Sequence, residues 1–232
     1  MNQKPKILIF SVFFDPVEGG AEIALRQLIS ELADAYDFHI ITARLSKYAV
    51  AYEQRSYATI HRVGTGRFTI DKYFYTYFAK RHVRKFFVDG GIVFDMVYGL
   101  LENQAALVAL DIGRKHKKPI LIGLQSGDTE KEIRRFLGPF SFLYDKVYSK
   151  DAQYAVLSTY LRQRALSHGV SQERIHVIPN GVNISVFTKK PDATEVAKIK
   201  RDLHLEPFTI VTTSRLVKKN AIDDLIRAFV IV

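Results

Sequence analysis

Lys6-Ile7-Leu8-Ile9-Phe10-Ser11-Val12-Phe13-Phe14, then Asp15-Pro16-Val17-Glu18-Gly19-Gly20, then Ala21-Glu22, is the stretch on which the fold turns. A nearly unbroken apolar run reads as a strand buried on both faces, as in parallel sheets. Gly19-Gly20 interrupts it. The following residues place apolar side chains at 21, 24, 25, 28, 29 and 32, the stripe of an amphipathic helix over Ala21 to Ala35. Strand, glycine turn and helix form the opening unit of a doubly wound α/β domain, whose ligands bind at the carboxyl ends of the strands. Ser11 inside the run and Asp15-Pro16 after it, with no small-residue cleavage site, favour this strand over a secretory leader.

The same rhythm continues outward. Strands are expected at Phe38–Thr42, Thr59–Val63, Phe94–Tyr98, Ile120–Leu124, Gln153–Leu157 and Ile175–Ile178. Helices are expected at Ile70–Val88, Gln104–His116, Glu130–Lys146 with a break at Gly138-Pro139, and Thr159–Ser167. Such alternation predicts a Rossmann-like, doubly wound parallel sheet covered on both faces. After Pro179 the texture changes to turns, a charged helix over Asp192–His204, a strand at Phe208–Thr213 and a helix from about Ile222. The expected division is 1–185 for the complete lobe and 186–232 for a linker and the first strand and helix of a second, incomplete one. A lone strand and helix cannot make a doubly wound domain, so the chain reads as a fragment.

Composition limits the chemistry. At 47% apolar and 25% charged residues over 232 positions, the chain has enough core to fold and is not a disordered sequence. It has no cysteine, which removes disulfides, thiolate metal sites and a cysteine nucleophile. Its seven histidines form no H-x-x-x-H or H-E-x-x-H spacing, so no metal is expected. No run of 18 apolar residues occurs, which predicts a soluble, cytoplasmic chain. Thirty-four Lys and Arg against 24 Asp and Glu give a net charge of +10, favouring anionic partners: phosphorylated small molecules, anionic lipid or nucleic acid. Recognisable nucleic-acid-binding motifs are absent, and no nucleic-acid partner is expected.

Four segments are candidates for function, each with a plainer alternative. Gly19-Gly20 lets a ligand approach backbone and helix N-terminus, or is only a turn. Ser126 and Asp128, in Gln125-Ser126-Gly127-Asp128-Thr129, reach the same sheet edge and are the candidate catalytic or hydroxyl-binding pair. Asp128 or Thr129 is equally a helix cap, with Glu132 in the first turn. Arg67, Lys72, Tyr73, Tyr77, Arg81 and Arg84 belong to a basic, aromatic helix on which Ile70, Phe74 and Phe78 share a face. It contacts an acceptor or an anionic membrane, or merely covers the sheet. Arg215, Lys219 and Asn220 follow the expected strand at Phe208–Thr213 and suit a pyrophosphate, or form a solvated basic loop.

Ile178-Pro179-Asn180-Gly181-Val182-Asn183 with Phe187 resembles the I-P-N-G-V-D-x-x-x-F signature of family 4-like glycosyltransferases of GT-B fold, with Asn183 where Asp is usual. Ser214-Arg215-Leu216-Val217-Lys218-Lys219-Asn220-Ala221 through Leu225-Ile226 resembles that family's G-R-L-v-x-x-K-G-x-d-x-L-I segment, and Gly19-Gly20-Ala21-Glu22 its G-G-x-E turn. The three occur in the family's order. What the resemblance implies is an acceptor-side N-lobe, a nucleotide-sugar-side C-lobe, and sugar transfer with retention and without a bound metal or other cofactor. It assigns Arg215, with Lys219 or Asn220, to the donor pyrophosphate and brings the Gly19-Gly20 backbone near it. Ser126 stands where many members carry His. The family's Glu-x7-Glu segment would lie beyond Val232, so the 232 residues alone are expected to be inactive. The implied acceptor is a lipid-linked sugar or polysaccharide. The competing reading is a non-catalytic sugar- or nucleotide-binding or partner subunit.

Overall fold

The computed structural model describes residues 4–231, which divide into two compact units between Gly181 and Val182. The first unit opens with β1 (Lys6–Ser11), α1 (Gly20–Leu32) and β2 (Asp37–Ala43), then a short β3 (Tyr52–Gln54) and β4 (Thr59–Val63). Next come α2 (Phe68–Tyr73), α3 (Tyr75–His82) with a π-helical continuation over Val83–Val88, β5 (Met96–Leu100) and α4 (Gln104–His116). The unit finishes with β6 (Ile120–Leu124), α5 (Glu130–Leu137), a 3-10 stretch over Gly138–Val147, β7 (Gln153–Val156), α6 (Thr159–Ser167) and β8 (Ile175–Val177).

The strands form one sheet in the order β3-β4-β2-β1-β5-β6-β7-β8. Every pairing is parallel except β3 with β4, so the expected α/β, Rossmann-like class holds with one antiparallel edge. Chain order reverses at β1, where Ile9 lies opposite Ile40 of β2 and Tyr98 of β5. That is the topological switch point, and the crevice at its carboxyl end is where such sheets bind ligands.

Period-2 alternation sorts the core. Leu8 and Phe10 belong to the cluster with Tyr75, Ala79 and Val108, on the α3–α4 face. Ile9 belongs to the opposite cluster, with Leu25 and Ile29 of α1 and Ile40 and Ile60 of the neighbouring strands.

Three expectations change. The helix expected over Ile70–Val88 is two helices and a π turn; its buried residues are Asp71, Tyr75, Ala79, Val83 and Phe87, while Ile70 and Phe74 are exposed and Phe78 packs half-buried against the core. Four residues over-rotate an α-helix by about 40°, so a four-residue spacing drifts off the sheet. The i→i+5 turn at Val83–Val88 widens the helix and keeps Phe87 inward. The strand at Phe94–Tyr98 lies two residues later, with Phe94 packing in the core before it.

The second unit holds α7 (Ile184–Phe187), α8 (Ala193–Asp202), a 3-10 turn over Lys218–Asn220 and α9 (Ile222–Ile231). Phe208–Thr213 is not a strand, which corrects the sequence expectation. Among the described residues it has no strand to pair with, and Phe208, Ile210 and Val211 are exposed.

Candidate active site

Gly19 is the N-cap of α1, and its N–H donates to Glu22 Oε2 at 2.7 Å. Glu22 is buried, and burial raises its pKa. A Cβ on Gly19 would stand 3.1 Å from that carboxylate oxygen, whereas a Cβ on Gly20 would meet nothing within 4 Å. Packing therefore gives no reason for glycine at position 20.

The loop ahead of this turn is braced from β3 and β4. Buried Arg62 donates from Nε and Nη2 to the Asp15 carbonyl, at 3.2 and 2.9 Å, and from Nη1 to Glu53 Oε2 at 2.8 Å. Arg55 pairs with the Asp15 and Glu53 carboxylates. These two arginines lower the Glu53 pKa by hydrogen bonding.

At the ends of β5 and β6 a cavity of about 130 Å³ is lined by Phe13, Leu101, Glu102, Asn103, Ser126, Asp128, Ile133 and Phe136. It lies on the carboxyl edge beside the switch point. Ser126 Oγ donates to Asp128 Oδ2 at 2.9 Å and accepts from the Asp128 N–H at 3.1 Å. The structure thus brings the two candidate residues together. Capping falls to Thr129, whose Oγ1 accepts from the Glu132 N–H at 3.3 Å while Glu132 Oε2 accepts the Thr129 N–H at 2.8 Å.

Sequence reasoning missed Glu102. Its residue surface is 1% exposed, and burial pushes its carboxyl up to about 7 against the pull of Arg164. Arg164, on α6, donates from Nη1 to Glu102 Oε1 at 3.0 Å and from Nη2 to the Asp128 carbonyl at 2.6 Å and the Tyr160 hydroxyl at 3.1 Å. One guanidinium therefore ties together the loops after β5 and β6. Leu101, just before Glu102, has φ of 69°, a left-handed conformation that costs about 1 kcal/mol in a non-glycine residue. The available sequence signal was a carboxylate immediately after an apolar strand, at the same edge as Gly19-Gly20.

The basic aromatic segment is partly at the surface. Arg67, Arg81 and Arg84 are exposed, as are Phe68, Phe74 and Tyr77. Lys72 and Tyr73 are half-buried: Lys72 Nζ lies over the Phe136 ring at 4.2 Å, and the Tyr73 ring packs against Gly138. Phe68 stacks at 6.2 Å on Phe13, a wall of the cavity. Among the described residues no helix is long and apolar enough to cross a membrane, and no cluster of three or more His, Cys, Asp or Glu is arranged to hold a metal ion.

In the second unit, Asn220 donates from Nδ2 to Ser214 Oγ at 2.8 Å and to the Arg215 carbonyl at 3.0 Å, closing the 214–220 loop around Arg215. The Lys219 side chain lies outside the described residues.

Residues 18–186 match the profile of glycosyltransferase family 4. No curated protein sequence matches the chain. Among solved structures, sucrose-phosphate synthase from Thermosynechococcus elongatus is similar with a TM-score of 0.62 at 17% identity, over 88% of this chain and 53% of that one. HepE from Anabaena in complex with UDP-glucose is similar with a TM-score of 0.57 at 13% identity, over 86% of this chain and 50% of that one. The chain thus spans about half the length of each. At these identities the likeness is one of fold, that of GT-B glycosyltransferases. With everything from Glu18 to Val186 inside the profile match, the chain belongs to glycosyltransferase family 4.

Proposed function

We propose that this chain serves transfer of a sugar, with retention, from a nucleotide-sugar to an acceptor held at the carboxyl edge of the first unit. The observation that carries the reading is Gly20, a glycine that packing does not require, on the same carboxyl edge of the sheet as a crevice with convergent polar groups. In this reading the Gly19–Gly20 backbone of the first unit suits the approach of a phosphate-bearing ligand, and the second unit, taken by itself, carries in Arg215 a cation suited to the charge that gathers on a leaving nucleoside diphosphate. Asn220 is the positioning residue for the Arg215 loop. No bound metal is assigned, because fixed cations do the electrostatic work. Ser126 and Asp128 face the acceptor. The acceptor is a lipid-linked sugar or growing polysaccharide, and exposed Phe68, stacked on the cavity wall Phe13, supports an acceptor with an apolar tail. The protein then works at the cytoplasmic face of a membrane.

The UDP-glucose held by the Anabaena structure makes UDP-sugars the first donors to try. The test is nucleoside diphosphate release by the full product of the gene, across a panel of nucleotide-sugars with lipid-linked and soluble acceptors. Acceptor-dependent release that falls at least about a hundredfold in Arg215→Ala is expected, in line with removal of one transition-state charge contact. No release with any donor overturns the proposal.

A further inference from the structure

The loop that follows β6 carries little packing at its centre. Ser126 and Asp128 bond to each other within it, and a Cβ on Gly127 would meet nothing within 4 Å. A tether reaches it from α6. Arg164 Nη2 donates to the Asp128 carbonyl at 2.6 Å and to the Tyr160 hydroxyl at 3.1 Å, while Nη1 donates to Glu102 Oε1 at 3.0 Å. Buried Leu161 and Ala165 dock α6 on the core, so the guanidinium is presented from a packed element. One side chain thus joins the segments that follow β5, β6 and β7.

The Arg164 and Glu102 side chains are 4% and 0% exposed, so salt and solvent screen this pair far less than a surface ion pair. A buried ion pair adds little stability over apolar residues of the same volume. What a planar fork supplies is geometry, two acceptors held at a fixed spacing. Here the acceptors are a carboxylate whose charge can change and the backbone of the loop that carries Ser126.

We propose that Arg164 is a positioning residue for the Ser126–Asp128 loop, and that the charge on Glu102 sets how firmly it holds: ionised Glu102 clamps the loop and protonated Glu102 loosens it. The part this loop plays at the acceptor rests on the transferase reading above; the clamp itself does not. Burial raises the Glu102 pKa to about 7, and Arg164 pulls against that rise. The clamped state therefore binds fewer protons than one with Arg164 withdrawn, and rising pH favours clamping. Besides Arg164 on α6, the groups facing Glu102 are Asp128 after β6, and Tyr144 and Tyr148 within and just after the 3-10 stretch. Burial raises both tyrosines, so they stay neutral from pH 6 to pH 8. Behind them His168 stacks on Tyr148 at 4.1 Å and contacts Glu130 and Asp145, at 2.9 and 3.5 Å.

The experiment is hydrogen-exchange mass spectrometry on the intact protein from pH 6 to pH 8, with each rate divided by its intrinsic value. Protection of residues 125–129 is expected to rise about tenfold across this range, the difference between a neutral and a charge-assisted hydrogen bond. The Thr65–Arg67 amides, held separately by Asp71, are the reference and are expected to stay level. Glu102→Gln still accepts from Arg164 but carries no charge, and is expected to give a flat profile at the loosened level. Arg164→Lys loses the fork and is expected to leave the loop loose at both pH values. In the full product of the gene it should lower kcat for acceptor-dependent nucleoside diphosphate release at least about tenfold. Should either variant unfold, carbon NMR of wild-type glutamate carboxyls decides, with Glu102 expected to titrate at the midpoint of the loop. Protection that ignores pH, or falls as pH rises, overturns the clamp. So does a wild-type profile in Glu102→Gln, which would assign the titration to His168. An exchange profile as expected with no turnover of any donor sinks the transferase reading and keeps the clamp; turnover with a flat profile does the reverse.

Discussion

His39 Nδ1 and His61 Nε2 lie 2.9 Å apart, and this contact is the middle of a chain that also takes in Lys6 and His82. Lys6 Nζ stands 2.9 Å from His39 Nε2, and His61 Nδ1 stands 3.0 Å from His82 Nε2. An ammonium only donates, so His39 Nε2 accepts and its proton sits on Nδ1. The 2.9 Å Lys6 contact outranks the 3.4 Å approach of Asp37 to the same nitrogen. His39 Nδ1–H then donates to His61, and His61 Nδ1–H donates to His82. All three rings are fixed as the neutral Nδ1–H tautomer.

Burial is the largest cause lowering all three imidazole pKa values, and it takes His61 down to about 3. Unfolded, these rings bind a proton near the ordinary value of about 6.5. Below that pH the unfolded chain therefore holds more protons than the folded one, and stability falls as pH drops from 6.5 toward 3. For His61 the slope is about 1.4 kcal/mol per pH unit. Glu102 and Glu22, both raised by burial, contribute the opposite slope above about 4.5, but they are two groups against the three imidazoles. Urea midpoints are expected to fall from pH 7 to pH 5, and nitrogen NMR is expected to show the Nδ1–H tautomer of all three rings, with His61 not titrating at pH 6. A protonated His61 at pH 6 rejects the chain of donors.

Gly20→Ala separates packing from ligand approach. Its new methyl meets nothing, and alanine favours a helix, so stability is expected to stay equal or rise by up to about 1 kcal/mol. If the backbone at Gly20 approaches donor phosphates, nucleotide-sugar affinity nonetheless falls at least about tenfold, the effect of one obstructed charge-assisted contact. Unchanged affinity in a stable variant removes Gly20 from the donor site.

How legible these features were in the sequence depends on the range of the interactions. The parallel strands were readable because each is an apolar run, and the Gly19-Gly20 and Ser126–Asp128 segments followed from their places after strands. Glu102 and Arg164 are 62 residues apart, and their pairing appears only when α6 packs beside β5 and β6. The histidine chain likewise draws on β2, β4 and α3, with no local spacing to reveal it. The inner face of α2 was hidden in the sequence because Asp71 takes the place of an apolar residue there. Phe208–Thr213 has strand composition, but a strand needs a partner as well as a pattern.

Asp71 explains its own burial. Its Oδ1 accepts from Thr65 N at 2.7 Å and Thr65 Oγ1 at 3.0 Å, and its Oδ2 from Gly66 N at 2.6 Å and Arg67 N at 3.1 Å. The carboxylate occupies the space beside Gly64, whose φ is 122° and whose Cβ would lie 2.5 Å from Asp71 Cγ. Asp71→Ala strands three backbone donors and is expected to cost about 3 kcal/mol or more, lowering the melting temperature by roughly 6–12 °C. Gly64→Ala is expected to be comparably damaging through strain and the clash. A loss under about 1 kcal/mol in thermal or urea unfolding of Asp71→Ala would falsify this account of the α2 entry.

The exposed aromatic face beside the cavity yields the last prediction. Phe68, Phe74 and Tyr77 are half or more exposed, with Arg67, Arg81 and Arg84 around them. Rings of this kind insert at the headgroup level, and each basic side chain near an anionic surface contributes about 1 kcal/mol. Sedimentation with vesicles containing anionic lipid is expected to carry the protein down at low salt and to release it at high salt. Neutral vesicles are expected not to bind it. Replacing the three arginines by glutamine should weaken binding about a hundredfold, the equivalent of some 3 kcal/mol. Phe74→Ser with Tyr77→Ser should weaken it even at low salt, because the apolar contribution is unscreened. Equal binding to neutral and anionic vesicles leaves the arginines without a role at the surface. Binding to neither places the aromatic face against something other than a membrane.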